Sequence, residues 1–169
     1  MRTFVTGILG MAGSHLADQL LARGHEVAGL VRRTAQDSQN RYWRVAHILD
    51  KIKFYPGDLL DQTSLERALS QFQPNYIFNM AAQSFVPYSF TAPRYTLDTT
   101  GTGAACLFEA IRSICPESKT YHSSSSEMFG TSPAPQNEQT PFHPRSPYAI
   151  AKVQAHHYGI FMREAYDLF

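Results

Sequence analysis

Short apolar segments alternate with segments of helical spacing along the whole chain, and this alternation is what most constrains the fold. The strand-like segments are residues 2–5, 26–31, 53–55, 76–80 and 120–124. Helical spacing covers the stretch between Gly13 and Gly24, a short stretch ending near Asp50, and residues 63–70, 96–114 and 148–166, while 81–95 are expected to be irregular. This order predicts a parallel sheet with helices on both faces. We therefore expect a Rossmann-type doubly wound α/β fold, in one domain over residues 1–169.

Composition excludes several classes of protein. The 169 residues are 43% hydrophobic, and 15 Lys+Arg against 14 Asp+Glu give a net charge of +1, which favours no nucleic-acid partner. No apolar run approaches the ~20 residues that span a bilayer, and the N-terminal residues show no signal-peptide pattern. Cys106 and Cys115 are too few for a disulfide framework and are not spaced as a metal site. We expect a cytoplasmic protein that binds neither nucleic acid nor membrane.

Three glycines at three-residue spacing follow the first strand in the stretch TGILGMAG. The turn after this strand lies at the carboxyl edge of the predicted sheet, where free N–H groups and the helix dipole attract an anion. We expect Gly7 to permit the turn, Gly10 to let a pyrophosphate approach and Gly13 to let helix and strand pack closely. Thr6 and Met11 complete the expected binding turn. The G-x-x-G-x-x-G spacing resembles that of the short-chain dehydrogenase/reductase superfamily.

The end of the second strand indicates which dinucleotide would bind. An acidic residue there accepts hydrogen bonds from a ribose 2′-OH and repels a 2′-phosphate. This chain has Arg32 and Arg33 instead, and guanidinium groups suit a phosphate by charge and geometry. We expect NADP as the cofactor rather than NAD. The alternative is that the two arginines are solvated or contact a partner subunit.

Two later turns at the same edge are further candidates for cofactor contacts. Asp58 and Leu59 resemble the Asp-Leu pair with which the superfamily holds adenine, although Asp58 would also suit a turn after Pro56-Gly57. Ala81, Ala82 and Gln83 form a stretch of mostly small residues where backbone can approach a cofactor, or where loop and helix simply pack.

Tyr148 and Lys152 lie four residues apart at the start of the last predicted helix and so share a face. A phenol has an ordinary pKa of about 10, and a neighbouring ammonium favours the phenolate. Such a tyrosine removes a proton from an alcohol while its carbon gives up hydride. A surface pair formed by chance is the alternative, which the preceding fifth strand makes less attractive.

The fifth strand ends in four serines followed by Glu127. The hydroxyl of Ser125 suits the polarisation of a substrate oxygen, and the alternative is a merely polar turn. A carboxylate at Glu127 beside a 4-keto sugar would remove the C5 proton and help expel the C6 hydroxyl. Its alternative is helix capping or a surface ion pair.

These motifs together resemble the GDP-mannose 4,6-dehydratase family, which belongs to the extended short-chain dehydrogenases/reductases and uses NADP. The resemblance runs from Met1 to Phe169. The stretches that carry it are TGILGMAG, VRR, GDL at 57–59, AAQSFVPYSF at 81–90, SSSSEMFG at 123–130 and PFHPRSPYAIAK at 141–152.

The resemblance implies a lyase that converts GDP-mannose to GDP-4-keto-6-deoxymannose, with the cofactor regenerated in each turnover. Tyr148 would deprotonate the 4-OH, Lys152 would lower the pKa of that phenol and hold the nicotinamide ribose, and Glu127 would remove the C5 proton. Ser125 falls where the family usually has Thr. The RRTAQDSQNRYWR stretch looks like the segment that reaches a neighbouring subunit's cofactor, which implies a homo-oligomer, a dimer or tetramer.

The family continues beyond this length with a further strand and a C-terminal domain that holds the substrate nucleotide. We expect a chain ending at Phe169 to lack this substrate domain, either as a fragment or as a short form. Sugar-nucleotide 4-epimerases are the nearest alternative, but they lack an acidic residue at the Glu127 position. The dTDP-glucose 4,6-dehydratases carry Asp-Glu there and use NAD. A non-catalytic NADP-binding module is a third alternative, with no need for the catalytic set.

Overall fold

A computed structural model describes residues 1–34 and 39–169, and the side chain of Gln39 is not described. Five parallel strands form one sheet in the order β3-β2-β1-β4-β5. The strands are β1 Arg2–Thr6, β2 Glu26–Val31, β3 Ile52–Pro56, β4 Tyr76–Asn79 and β5 Lys119–His122. The two halves of the order diverge from β1, so a crevice opens at the carboxyl end of that strand, where an open α/β sheet binds its ligand.

Helices connect the strands in alternation with them. The α-helices are α1 Met11–Ala22, α2 Gln62–Phe72, α3 Val86–Thr91, α4 Pro93–Thr96, α5 Gly103–Ile114 and α6 Pro147–Tyr166. A 3₁₀ segment, Gln39–Lys51, connects β2 to β3 with a kink at Ile48, and a second one spans Ser126–Met128. A π-helical segment, Leu97–Thr102, joins α4 to α5.

Neighbouring residues of β1 point to opposite faces of the sheet and so seed two separate cores. Phe4 belongs to the core beneath α2, α5 and α6, with Leu65 and Leu107. Val5 belongs to the core beneath α1 and the first 3₁₀ segment, with Ala17. Because a strand alternates its side chains, the burial of both Phe4 and Val5 needs helices on both faces of the sheet. The predicted Rossmann-type fold is confirmed.

One local prediction is wrong. Residues 81–85 are irregular, as expected, but residues 86–95 are not, because α3 and α4 both lie there. Pro87 and Pro93 stand in the first turn of these helices, where a missing N–H costs nothing. The helix expected over 96–114 is present but begins with the π-helical segment. This segment packs against α6 so closely that a Cβ added at Gly101 would come within 2.3 Å of the Gln154 side chain.

Cys106 and Cys115 are both free thiols. In the part of the chain that the structure describes, no helix is long and apolar enough to cross a bilayer. The same residues contain no cluster of histidine, cysteine or carboxylate side chains that would hold a metal ion.

Candidate active and cofactor site

The glycine turn has the geometry that its spacing predicts. Gly7 adopts φ +67°, and a Cβ added there would lie 2.8 Å from the backbone nitrogen of Ala81. A Cβ at Gly13 would lie 2.2 Å from the carbonyl oxygen of Gly7, so α1 packs directly against the turn. Gly10 precedes α1 and caps it without a side chain, which leaves the first N–H groups of the helix open to a ligand.

A crevice of about 580 Å³ lies over this turn. It brings together nine of the residues expected to contact a cofactor from the ends of four strands. They are Gly7, Gly10, Met11, Gly13, Arg32, Asp58, Leu59, Ala81 and Ala82. Arg33 lies instead in an adjoining cavity of about 490 Å³, which shares Arg32, Gly57 and Asp58 with the crevice.

The 3₁₀ segment after β2 covers one side of the crevice. Its residues Asn40, Arg41, Trp43 and Arg44 line the crevice of their own chain. Arg41 donates a 2.6 Å hydrogen bond from Nη2 to the carbonyl oxygen of Arg32. The resemblance assigned this stretch to a neighbouring subunit's cofactor, and that assignment stays a prediction. Its residues 35–38 lie outside the described residues.

Thr6 and Gln83 are not among the residues that line the crevice, but their hydrogen bonds fix the backbone that does. The hydroxyl of Thr6 donates to Oδ1 of Asn79 at 2.6 Å and accepts from the backbone N–H of Ala81 at 3.1 Å. The Gln83 amide donates to the hydroxyl of Thr96 at 3.0 Å, and its oxygen accepts from the N–H of Phe85 at 2.8 Å. Both side chains therefore hold the turn after β4 in place.

The hydrogen bonds continue from Asn79 to β5. Nδ2 of Asn79 lies 3.0 Å from Nδ1 of His122, and the backbone N–H of Ser123 donates to the carbonyl oxygen of Asn79. Burial, with the positive charges of Lys152 and His156, lowers the pKa of His122 to about 4. His122 is thus a neutral imidazole whose Nδ1 accepts from the amide.

Tyr148 and Lys152 lie together at this edge, as the spacing predicts. The side chain of Ser146 caps α6 by accepting from the N–H of Ala149 at 3.0 Å, which fixes Tyr148 in the first turn. Both side chains are buried, and the amine of Lys152 lies 5.8 Å from the centre of the Tyr148 ring. The same amine donates to the carbonyl oxygen of Ser123 at 2.6 Å. Burial lowers the pKa of Lys152 to about 8.

Ser125 and Glu127 stand at the end of β5 on the second 3₁₀ segment. Oγ of Ser125 accepts from the backbone N–H of Glu127 at 3.2 Å, so its own proton remains available to a substrate oxygen. The Glu127 side chain is exposed and forms no ion pair within the described residues. The capping interaction considered for this turn is therefore made by the serine.

The residues of the crevice fit a dinucleotide. Gly10 lines the crevice, and a Cβ added there would meet only the carbonyl oxygen of Gly7 at 3.1 Å, so a phosphate can approach the N-terminus of α1 at this point. Thr99 adds a buried hydroxyl that finds no hydrogen-bond partner among the described residues and lines the same crevice. A ligand that brings polar groups to this wall would satisfy it.

Sequence reasoning missed several residues of the site. Thr99 and Tyr95 reach the crevice because α4 and the π-helical segment fold over it, and no local pattern signals this. The resemblance places Arg41 and Arg44 in the segment that reaches a neighbouring subunit's cofactor, and in the structure both also line the crevice of their own chain. Asn79 and His122 are polar residues within strands, and this oddity was the available signal for the network beneath the crevice.

The fold and these residues together define a Rossmann-fold domain of the short-chain dehydrogenase/reductase type. Solved structures of this type superpose on the whole chain. A Thermus thermophilus UDP-glucose 4-epimerase in complex with NAD matches with a TM-score of 0.85 and 32% identity, over 99% of this chain and 52% of that one. A Streptomyces venezuelae dTDP-glucose 4,6-dehydratase with NAD bound matches with a TM-score of 0.85 and 27% identity, over 99% and 53%.

Comparison of the sequences identifies one family within this superfamily. The family model described as GDP-mannose 4,6 dehydratase matches residues 4–169. GDP-mannose 4,6 dehydratase 2 of Arabidopsis thaliana is 46% identical over 98% of this chain and 47% of its own length. The chain therefore belongs to the GDP-mannose 4,6-dehydratase family, and it spans about half the length of the curated relatives that it matches.

Proposed function

We propose that the chain is the dinucleotide-binding part of a lyase that converts GDP-mannose to GDP-4-keto-6-deoxymannose. The observation that carries this proposal is the position of the Lys152 amine. It is buried beside Tyr148 and bonded to Ser123 at the end of β5, on the carboxyl edge that also holds the glycine turn. Family membership supports the reaction class. The exposed carboxylate of Glu127 favours a dehydratase, because the resemblance implies that 4-epimerases lack an acidic residue at this position.

The roles of the side chains follow from their surroundings. The phenol of Tyr148 accepts the proton of the sugar 4-OH, with the charge of Lys152 favouring the phenolate. The free hydroxyl proton of Ser125 holds the C4 oxygen. Glu127 accepts the C5 proton as water leaves C6. A nicotinamide bound in the crevice would supply a reversible hydride acceptor for this reaction, which would leave it without net oxidation.

NADP is the cofactor that we propose. Neighbouring structures hold NAD, but Arg32 and Arg33 directly follow β2, where NAD-dependent folds place a carboxylate. Two guanidinium groups favour a 2′-phosphate. We expect NADP to bind at least tenfold more tightly than NAD, about 1.4 kcal/mol, in titration calorimetry. Equal affinities would contradict this choice.

The dehydration step is tested with Glu127→Gln in a protein of the relatives' full length that carries residues 1–169. We expect C4 oxidation to continue, seen as accumulation of reduced nicotinamide, while the dehydrated product forms about 10²–10⁴-fold more slowly. Glu138→Gln, an exposed glutamate in the loop before α6, is the matched control. Dehydration by Glu127→Gln at the parent rate would remove the role given to this carboxylate.

We also propose a homo-oligomer, a dimer or tetramer, in the cytoplasm. The assembly is supported by the resemblance of the segment after β2 to one that joins subunits in the family. The compartment is supported by Cys106 and Cys115, which are free thiols. Sedimentation equilibrium of the protein, with and without NADP, tests the assembly.

A further inference from the structure

A second cavity adjoins the cofactor crevice at the end of β3. It measures about 490 Å³ and lies between the strand end and α2. Three arginines are among the residues that line it, namely Arg32, Arg33 and Arg67. Arg32 also lines the crevice, so the two spaces meet at this side chain.

The turn between β3 and α2 brings Arg67 to this cavity. Ser64 packs so tightly against Gly57 that a Cβ on the glycine would lie 2.7 Å from the serine Oγ. The same Oγ accepts from the N–H of Asp58 at 3.1 Å. Because residues three apart share a helix face, Arg67 follows Ser64 on the side of α2 that faces the strand end.

The cavity has a surplus of positive charge. Arg33 and Arg67 form no ion pair within residues 1–34 and 39–169. Two carboxylates also line the cavity, but both accept hydrogen bonds from the backbone. Oδ1 of Asp58 accepts from the N–H of Leu60 at 3.0 Å, and Oδ1 of Asp61 accepts from the N–H of Ser64 at 3.2 Å.

The guanidinium of Arg32 already has a hydrogen-bond partner outside the cavity. Its Nη1 donates to the hydroxyl of Tyr95 at 3.1 Å, which draws the guanidinium across the crevice. Among the residues that the structure describes, Arg33 and Arg67 have no such anchor, and both line the cavity that adjoins the crevice at Arg32. An anionic group that extends from the crevice past Arg32 would therefore lie close to Arg33 and Arg67.

We propose that Arg67, together with Arg33, binds the 2′-phosphate of NADP and sets the preference for NADP over NAD. This inference rests on the proposed cofactor and adds a specificity-determining residue from a helix that the motifs of the sequence do not reach. Arg67 belongs to α2, whereas Arg32 and Arg33 follow β2, so the phosphate would be held by residues of two different elements. The adenosine end of the cofactor then bridges the crevice and the cavity.

The test is titration calorimetry of Arg67→Ala with NADP and with NAD. We expect NADP affinity to fall about fivefold, the scale of about 1 kcal/mol for an exposed charge pair, and NAD affinity to stay at the parent value. The loss should shrink as salt is raised, because the contact is electrostatic. Arg67→Lys is expected to retain part of the preference, since it keeps the charge without the fork.

Arg23→Ala is the matched control, because this exposed arginine follows the last residue of α1, away from the carboxyl ends of the strands, and its loss changes the net charge by the same amount. It should leave both affinities unchanged. A parent that prefers NADP, with an Arg67→Ala variant that keeps the full preference, would overturn this inference alone. Equal affinities of the parent for the two nucleotides would overturn the cofactor proposal and this inference with it.

Discussion

The side-chain amine of Lys152 donates a hydrogen bond of 2.6 Å to the backbone carbonyl oxygen of Ser123. A buried ammonium is thereby fixed at the end of β5, beside Tyr148 and away from bulk water. The pKa of Lys152 falls from 10.5 to about 8 because burial disfavours the charged form. This placement serves the phenol and costs the fold stability.

We predict that Lys152→Met stabilises the fold at pH 7 by about 1–2 kcal/mol, after the loss of one hydrogen bond. Between pH 8 and 10.5 the unfolded chain keeps a proton that the folded chain has released, so this group makes the free energy of unfolding rise with pH. Below pH 8, Lys152 is charged in both states, and the full cost of burying its ammonium lowers the free energy of unfolding. Urea unfolding at pH 7 and pH 10 measures both effects.

The variant should show a shallower rise between those two pH values than the parent. Lys51→Met, at an exposed lysine, is the control and is expected to change stability by less than about 0.5 kcal/mol. A Lys152→Met variant that is less stable than the parent at pH 7 would contradict the burial penalty.

Gly7 and Gly24 allow a matched comparison, because both adopt positive φ but only one is crowded. A Cβ at Gly7 meets the backbone of Met80 and Ala81, whereas a Cβ at Gly24 meets nothing within 4 Å. We predict that Gly7→Ala costs about 2–4 kcal/mol and Gly24→Ala about 1–2 kcal/mol. Dinucleotide affinity should fall at least tenfold in the first variant only. Similar losses of affinity in both would show that the turn geometry is not what matters.

His122 makes the fold sensitive to acid. Its pKa of about 4 lies below the ordinary 6.5, chiefly because burial disfavours the imidazolium. Between pH 6.5 and 4 the unfolded chain takes up a proton that the folded chain refuses, so stability falls as the pH drops through this window.

We predict that His122→Gln matches the parent at pH 7, since the amide of Gln can replace the hydrogen bond with Asn79. At pH 4.5 the variant should be about 2 kcal/mol more stable than the parent, because it has no imidazole to protonate. Urea unfolding at the two pH values gives the comparison, and an identical acid loss in both proteins would sink it.

Thr6 supports the crevice through a hydroxyl that is fully buried. Thr6→Val keeps the shape but leaves Oδ1 of Asn79 and the N–H of Ala81 without their partner. We predict a loss of about 1–3 kcal/mol in the free energy of unfolding. Thr63→Val, at an exposed threonine, should change it by less than about 0.5 kcal/mol. A neutral Thr6→Val variant would mean that water or another group satisfies both atoms.

The sequence was sufficient for features that are set by local periodicity. The strands lie within one or two residues of their predicted positions. For β1 and β2 the reason is that a run buried on both faces has few alternatives. The positive φ of Gly7 and the close packing at Gly13 were also predicted, because each depends on the absence of a side chain at one position.

The sequence did not predict features that depend on contacts between distant parts of the chain. Pro87 and Pro93 suggest a loop when read alone, but each begins a short helix. The π-helical segment and the exposure of Thr99 to the crevice depend on packing against α6, which is distant in the chain. Arg67 looks like an ordinary solvated helix residue until Gly57 and Ser64 draw α2 against the strand end.

The backbone N–H of Ala81 belongs to a loop by its position in the chain, but its acceptor is the buried oxygen of Thr6. Such an amide opens only when the ends of β1 and β4 separate, which is an event of the whole core and not of a fraying loop. The floor of the crevice is therefore preorganised. The conformational entropy of ordering it is lost during folding. Nucleotide binding therefore does not have to order this surface again.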